Sequence, residues 1–251
     1  MPWGQHNAAR LWIACGLPVD YLCNVRTMKP RAASMTPDLF GAAADGDRLL
    51  EPLAEGAAVL RSFASAEAAA LMSSLREILT TAPFRHMVTP GGFRMSVAMT
   101  NCGRAGWVTD RAGYRYDRLD PTTERPWPPL PVSFTRVAAA AAAATGFGGY
   151  EPDSCLINRY EPGARLSLHQ DRNERDYSAP IVSVSLGLPA MFLFGGASRK
   201  QRPRRVLLES GDVVVWGGPA RLAFHGVAPL ADGDHPLTGR HRINLTFRKA
   251  L

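Results

Sequence analysis

The chain has 251 residues, 46% of them apolar and 20% charged, a globular composition long enough to bury a core without disulfide or metal staples. Its formal net charge of +7 favours a polyanionic partner without identifying one. Four cysteines, Cys15, Cys23, Cys102 and Cys155, lack close pairing, which argues against a disulfide framework or zinc ribbon and for a reducing, cytoplasmic setting, and no apolar run approaches the ~18 residues of a membrane span.

Residues 1–34 show neither helical nor strand period. They read as a disordered tail, or as upstream sequence translated from a misplaced start codon, with Met35 as the better start. Ala66–Leu79 carries Ala69, Met72, Leu75 and Leu79 at helical spacing, with Ser65 as the expected N-cap and Pro83 as terminator. Residues 84–129 are rich in Gly, Pro, Arg and aromatics, with one alternating piece at Met95–Met99, and read as a surface lid. Pro131–Thr145 contains seven consecutive alanines, Ala138–Ala144; alanine is the best helix former, so a packed helix closed by Gly146 is expected.

From Ser154 the apolar period becomes two. Eight strands are expected, at Ser154–Tyr160, Ala164–Leu168, Ile181–Gly187, Ala190–Phe194, Arg205–Glu209, Asp212–Trp216, Leu222–His225 and Arg242–Arg248, with Gly, Pro and Asp in the gaps. Eight strands with no helix between them predict a jelly roll, or double-stranded β-helix. With the helices placed before it, the class is α+β, the helices buttressing one face.

Three constellations carry chemistry. His169-Gln-Asp171 follows the second expected strand and His225 lies on the seventh. Two imidazoles and one carboxylate suit a six-coordinate iron that keeps open positions, although His-x-Asp alone recurs by chance. In the last strand Arg242, Asn244, Thr246 and Arg248 share one face, opposite Ile243, Leu245 and Phe247. Facing a barrel interior, the arginines need a dicarboxylate; on an edge strand they are merely solvated. Leu156, Asn158 and Tyr160 likewise share a face, where Asn158 and Tyr160 either bind a carboxylate or serve the fold.

From about Met35 to its C-terminus the chain resembles the AlkB family. The runs that carry the resemblance are Met87-Val-Thr-Pro-Gly-Gly, Met95-Ser-Val-Ala-Met-Thr-Asn-Cys-Gly, Cys155-Leu-Ile-Asn-Arg-Tyr, Leu166-Ser-Leu-His-Gln-Asp, Gly211-Asp-Val-Val-Val-Trp-Gly-Gly and Asn244-Leu-Thr-Phe-Arg. The resemblance implies an Fe(II)/2-oxoglutarate dioxygenase domain over 35–251. His169, Asp171 and His225 would hold Fe(II), and Asn158, Tyr160, Arg242, Asn244 and Arg248 would hold 2-oxoglutarate. Which arginine takes the far carboxylate stays open. It implies an oxidative demethylase that consumes dioxygen, converts 2-oxoglutarate to succinate and carbon dioxide, and releases the methyl group of 1-methyladenine or 3-methylcytosine as formaldehyde.

The resemblance implies single-stranded DNA or RNA as partner, no membrane, and a monomer. Segment 84–129 becomes a nucleotide-recognition lid, since a damaged base must be flipped out to be reached. Trp107 and Tyr114 match base-gripping residues, with Trp107 and His169 as the two sides of a sandwich. Arg199 matches a substrate-side arginine and opens Arg199-Lys-Gln-Arg-Pro-Arg-Arg205, five cations in seven residues. These cations contact phosphate or form a solvated tip. The chain departs from the family after the triad, where Asn173 replaces an acidic residue that faces the base; Glu174 is a candidate to compensate. Two other readings are an oxygenase of a protein or small metabolite, and a non-catalytic nucleic-acid binder.

Overall fold

The computed structural model describes residues 50–251, so the expectations for residues 1–34 and for a start at Met35 lie outside the described residues. The elements run β1 (Leu50–Ala54), β2 (Ala57–Leu60), α1 (Ala68–Thr81), β3 (Arg85–Val88), β4 (Arg94–Gly103), β5 (Gly106–Asp110), β6 (Gly113–Asp117), α2 (Val132–Ala144), β7 (Ser154–Tyr160), β8 (Leu166–His169), β9 (Ile181–Gly187), β10 (Ala190–Phe194), β11 (Arg204–Leu208), β12 (Val213–Trp216), β13 (His225–Val227) and β14 (Arg242–Arg248). A 3-10 turn, Gly218–Ala220, precedes β13. Among the described residues, no helix is long and apolar enough to cross a membrane.

The eight strands β7–β14 divide four and four between two sheets, as a jelly roll requires. The large sheet runs β1-β2-β12-β9-β14-β7-β4-β3; the small one runs β11-β10-β13-β8. At the centre of the large sheet, β14 pairs antiparallel with both β7 and β9, and all seven of its residues are buried. Its polar face points between the sheets, while Phe247 on the other face meets Phe134 of α2 edge-on at 5.7 Å. The helices therefore buttress the outer face, joined to each other by a 2.8 Å hydrogen bond between the Ser74 and Ser133 hydroxyls. Short side chains at Ala138, Ala141 and Ala142 are fully buried on the inner side of α2.

Several expectations need correction. Segment 84–129 is not one surface lid. β3 and β4 pair into the large sheet, and only the β5–β6 hairpin stands as a separate two-stranded ribbon. Ser65 does not cap α1: the cap position is Glu67, without a side-chain bond. The buried face of α1 is Leu71, Leu75 and Ile78, flanked by Met72 and Leu79, while Ala69 is exposed. β1 and β2, unread in the sequence, extend the large sheet by pairing on β12. His225 begins its strand instead of ending it, because Arg221 and Ala223 donate back to Gly218 and Ala220 in tight turns.

Gly187 closes β9 directly opposite Arg242, with φ at +87°. A Cβ there would stand 2.5 Å from the His241 carbonyl oxygen, so both backbone conformation and space demand glycine. Gly187→Ala should cost about 2 kcal/mol or more and lower Tm by roughly 4–8 °C. Gly163, also at positive φ but with nothing near its missing Cβ, is the comparison. Equal losses in thermal unfolding for Gly163→Ala and Gly187→Ala would show that the close approach is unimportant.

Candidate active site

His169, the last residue of β8, and His225, the first of β13, are direct cross-strand partners, with ring centroids 4.4 Å apart. Each ring is oriented by its own strand. Nδ1 of His169 donates to the Ser167 carbonyl at 2.8 Å, and Nδ1 of His225 to the Ala223 carbonyl at 3.0 Å. A carbonyl can only accept, so Nδ1 carries a proton and Nε2 is the nitrogen left to face an ion. Asp171 completes the set. Its Oδ1 lies 3.7 Å from Nε2 of His169 and its Oδ2 3.8 Å from Nε2 of His225. All three ligand atoms fall within 4.8 Å of one another, close enough to share one ion.

Burial alone would push the Asp171 carboxyl up. Arg248, donating through Nε and Nη2 to Oδ2 at 2.8 and 2.7 Å, and the two imidazoles together outweigh it and hold the carboxyl well below the usual carboxylate range. Asp171 is thus ionised without a metal. His225 is pushed the other way, down to about 4, by burial and then by His169. Trp216 at 4.9 Å and Phe192 at 6.2 Å, centroid to centroid, supply that apolar wall.

The residues expected to hold the cosubstrate line the inner face of the large sheet. Register places Arg242 opposite Tyr160 and Asn244 opposite Asn158. Asn244 is satisfied within the sheet, donating to the Ser183 hydroxyl and the Val184 carbonyl and accepting from Thr246. Arg242 is different. It is 1% exposed and lies over the Tyr160 ring, and it donates only once, from Nη2 to Ser185 at 2.9 Å. Its Nε and Nη1, Nη1 of Arg248 and Oδ1 of Asn158 are buried without partners. Burial lowers the Arg242 pKa, Tyr160 only partly offsetting it. A buried guanidinium with two unpartnered donors suits an anion.

The β5–β6 hairpin stands against the loop that follows Asp171. Trp107 stacks on Tyr114 at 5.7 Å, and His169 lies against His225 at 4.4 Å. The Trp107 indole donates to Oδ1 of Asn173 at 3.1 Å. Glu174 does not compensate for Asn173, because it points into the protein, accepts from the Tyr116 hydroxyl at 2.7 Å and is paired with Arg221 at 3.2 Å. In the basic loop Arg199, Lys200, Arg202 and Arg205 are exposed, whereas Arg204 is bonded to Glu51 and to the Pro52 carbonyl of β1.

Sequence reasoning missed Tyr116 and Arg221. Tyr116 shares the period-two face of Tyr114, which could have marked it. Arg221 stood alone in an apolar run, a signal only in retrospect.

The depressed pKa of His225 makes the metal-free protein acid-sensitive. Unfolded imidazole takes a proton near the ordinary 6.5, while the folded ring waits until about 4. Stability is therefore full above 6.5 and falls as pH drops between those values. A His225→Gln protein should lose less Tm across this window than the parent in metal-free buffer; parallel curves would contradict the assignment.

A family model described as the 2OG-Fe(II) oxygenase superfamily matches residues 56–248. The chain is 58% identical over 213 residues to "Alpha-ketoglutarate-dependent dioxygenase AlkB" of Salmonella typhimurium, covering 85% of this chain and 97% of the relative. It is 57% identical, with the same coverage, to the protein of that name from Escherichia coli. The solved structure of OsALKBH1 superposes with a TM-score of 0.70 at 29% identity, covering 80% of this chain and 99% of that one. The triad, the sheets that carry it and these similarities agree, and the chain belongs to the AlkB family of alpha-ketoglutarate-dependent dioxygenases.

Proposed function

We propose that this dioxygenase removes methyl groups from 1-methyladenine and 3-methylcytosine in single-stranded DNA or RNA. The carrying observation is the triad of His169, Asp171 and His225 beside two buried arginines with idle donors. Two imidazoles, each turned by its backbone carbonyl bond to offer Nε2, and an ionised carboxylate fit Fe(II) and leave positions open. When bound, iron with 2-oxoglutarate and dioxygen supplies the oxidation of the methyl group, releasing succinate, carbon dioxide and formaldehyde.

The chain's own residues do the placing. Arg248, already bonded to the ligand Asp171, takes the near carboxylate of 2-oxoglutarate through its free Nη1. Arg242, at the Tyr160 end of β14, takes the far one through Nε and Nη1, and Asn158 lies between. Asn244 braces the strand against β9 beneath the cosubstrate. Trp107 and Tyr114, with Asn173 fixing the indole, form the face on which a flipped base stacks; this hairpin is the nucleotide-recognition element. Asn173 meets the base with a neutral carboxamide, so its attraction for a cationic lesion is weaker than an acid's. The exposed cations from Arg199 to Arg205 face phosphate. The reading takes the protein as a cytoplasmic monomer, supported by the unpaired thiols of Cys102 and Cys155.

Succinate and formaldehyde release from methylated single strands tests the reading directly. The parent should produce both. His225→Ala should produce neither, and Arg242→Met should raise KM for 2-oxoglutarate by about tenfold or more, the worth of a charge-assisted pair. Turnover by His225→Ala at the parent rate would sink the metal assignment.

Phosphate contact makes a separate claim. Arg199→Gln with Arg202→Gln should weaken binding similarly for all base sequences and reduce the log–log salt slope by about 0.7 per lost contact. An unchanged slope would leave the loop a solvated tip.

A further inference from the structure

The loop from Asp171 to Ala179 has no regular secondary structure, yet it is pinned. Arg221, 3% exposed, reaches both of its ends: Nη1 donates to the Asp171 carbonyl at 3.2 Å and Nε to the Ala179 carbonyl at 3.0 Å. Its Nη2 lies 3.2 Å from one carboxylate oxygen of Glu174. The other Glu174 oxygen lies 3.4 Å from Nε of Arg248 and accepts the hydrogen bond of the Tyr116 hydroxyl at 2.7 Å. Arg248 is the residue that grips Asp171. Polar contact is thus continuous from the hairpin strand β6, through Tyr116, Glu174 and Arg248, to a metal ligand.

The neighbouring residue makes the same connection. Asn173 accepts from the Trp107 indole, and its amide stands 3.5 Å from the Tyr114 carbonyl. Trp107 and Tyr116 are cross-strand partners, so residues 173 and 174 hold one face of the hairpin at adjacent points. Neither Tyr116, Glu174 nor Arg221 has a part in holding iron, cosubstrate or base. Burying a carboxylate between two guanidiniums is costly unless its geometry is kept, which makes this cluster a rigid connector.

We propose that Tyr116 and Glu174 are positioning residues that couple the seating of the β5–β6 hairpin to the orientation of Asp171, by way of Arg248. A hairpin seated on its base holds Tyr116 on Glu174, Glu174 on Arg248, and Arg248 on the ligand. The coupling is reciprocal: whatever hairpin seating contributes to metal binding, metal binding contributes to hairpin seating. The meaning of the hairpin rests on the function proposed above. The coupling itself does not, and its test uses no nucleic acid.

Amide hydrogen exchange is followed in the full chain, without ligands and with Mn(II) and 2-oxoglutarate, Mn(II) being a redox-quiet stand-in for Fe(II). In the parent, the ligands should slow exchange in β8 and β13 and also, about tenfold, across the hairpin, the worth of one hydrogen bond to a charged acceptor. In Tyr116→Phe, which keeps the ring, β8 and β13 should still be slowed, the hairpin should no longer respond, and Mn(II) should bind about tenfold more weakly. Glu174→Gln, which removes the charge facing Arg248, should lose the hairpin response in the same way. A hairpin indifferent to Mn(II) in the parent would overturn the proposal, as would one slowed equally in Tyr116→Phe. Failure to turn over methylated strands, with the exchange result intact, would instead count against the nucleic-acid reading.

Discussion

The Arg248–Asp171 ion pair is the contact on which the site and much of the sandwich depend. Asp171 leaves the end of β8 in the small sheet, whereas Arg248 ends β14 at the centre of the large one. A lone carboxylate at that depth would hold a proton and make a poor ligand; Arg248 removes that choice. The arginine in turn must not be left as an uncompensated cation, and Glu174 and Arg221 extend the alternation of charge. The geometry of the metal ligands is therefore inherited from a buried network in which each member restrains the next.

The network also explains why β14 occupies the middle of its sheet. An outer strand would leave Arg242 and Arg248 solvated and able to swing. Paired on both sides, β14 presents Arg242, Asn244, Thr246 and Arg248 along one inner face, with Ser183 and Ser185 of β9 and Asn158 and Tyr160 of β7 beside them. The opposite face, Ile243, Leu245 and Phe247, is apolar and held by α2. One strand thus divides chemistry from core by alternation alone.

Ser154–Tyr160, Ile181–Gly187, Ala190–Phe194 and Arg242–Arg248 were legible to the residue, because each is an apolar or alternating run that ends at Gly, Pro or a charged corner. The strands before residue 120 were not. β1, β2, β3 and the full length of β4 become strands by adding to an existing sheet, a tertiary cause that leaves little local period. In α1 the apolar residues cover more than one stripe, so periodicity gave the helix but placed its buried face one residue off. The triad was legible because iron restricts its ligands to few residue types. Tyr116, Glu174 and Arg221 act only through one another, across separations of 58 and 47 residues that no spacing rule connects.

The two halves of the site come from different sheets. Both histidines belong to the small sheet, while Asn158, Tyr160, Arg242 and Arg248, proposed above for the cosubstrate, belong to the large one. A dicarboxylate held by those groups and by an ion on the histidines would span the gap like a bolt through two plates, and opening the sandwich would have to break it. Ion and cosubstrate would together stabilise the closed form with the logarithm of their concentrations, adding to the Arg248–Asp171 pair that already crosses between the sheets. Starvation for iron or for the dicarboxylate then loosens the body of the enzyme as well as emptying its centre.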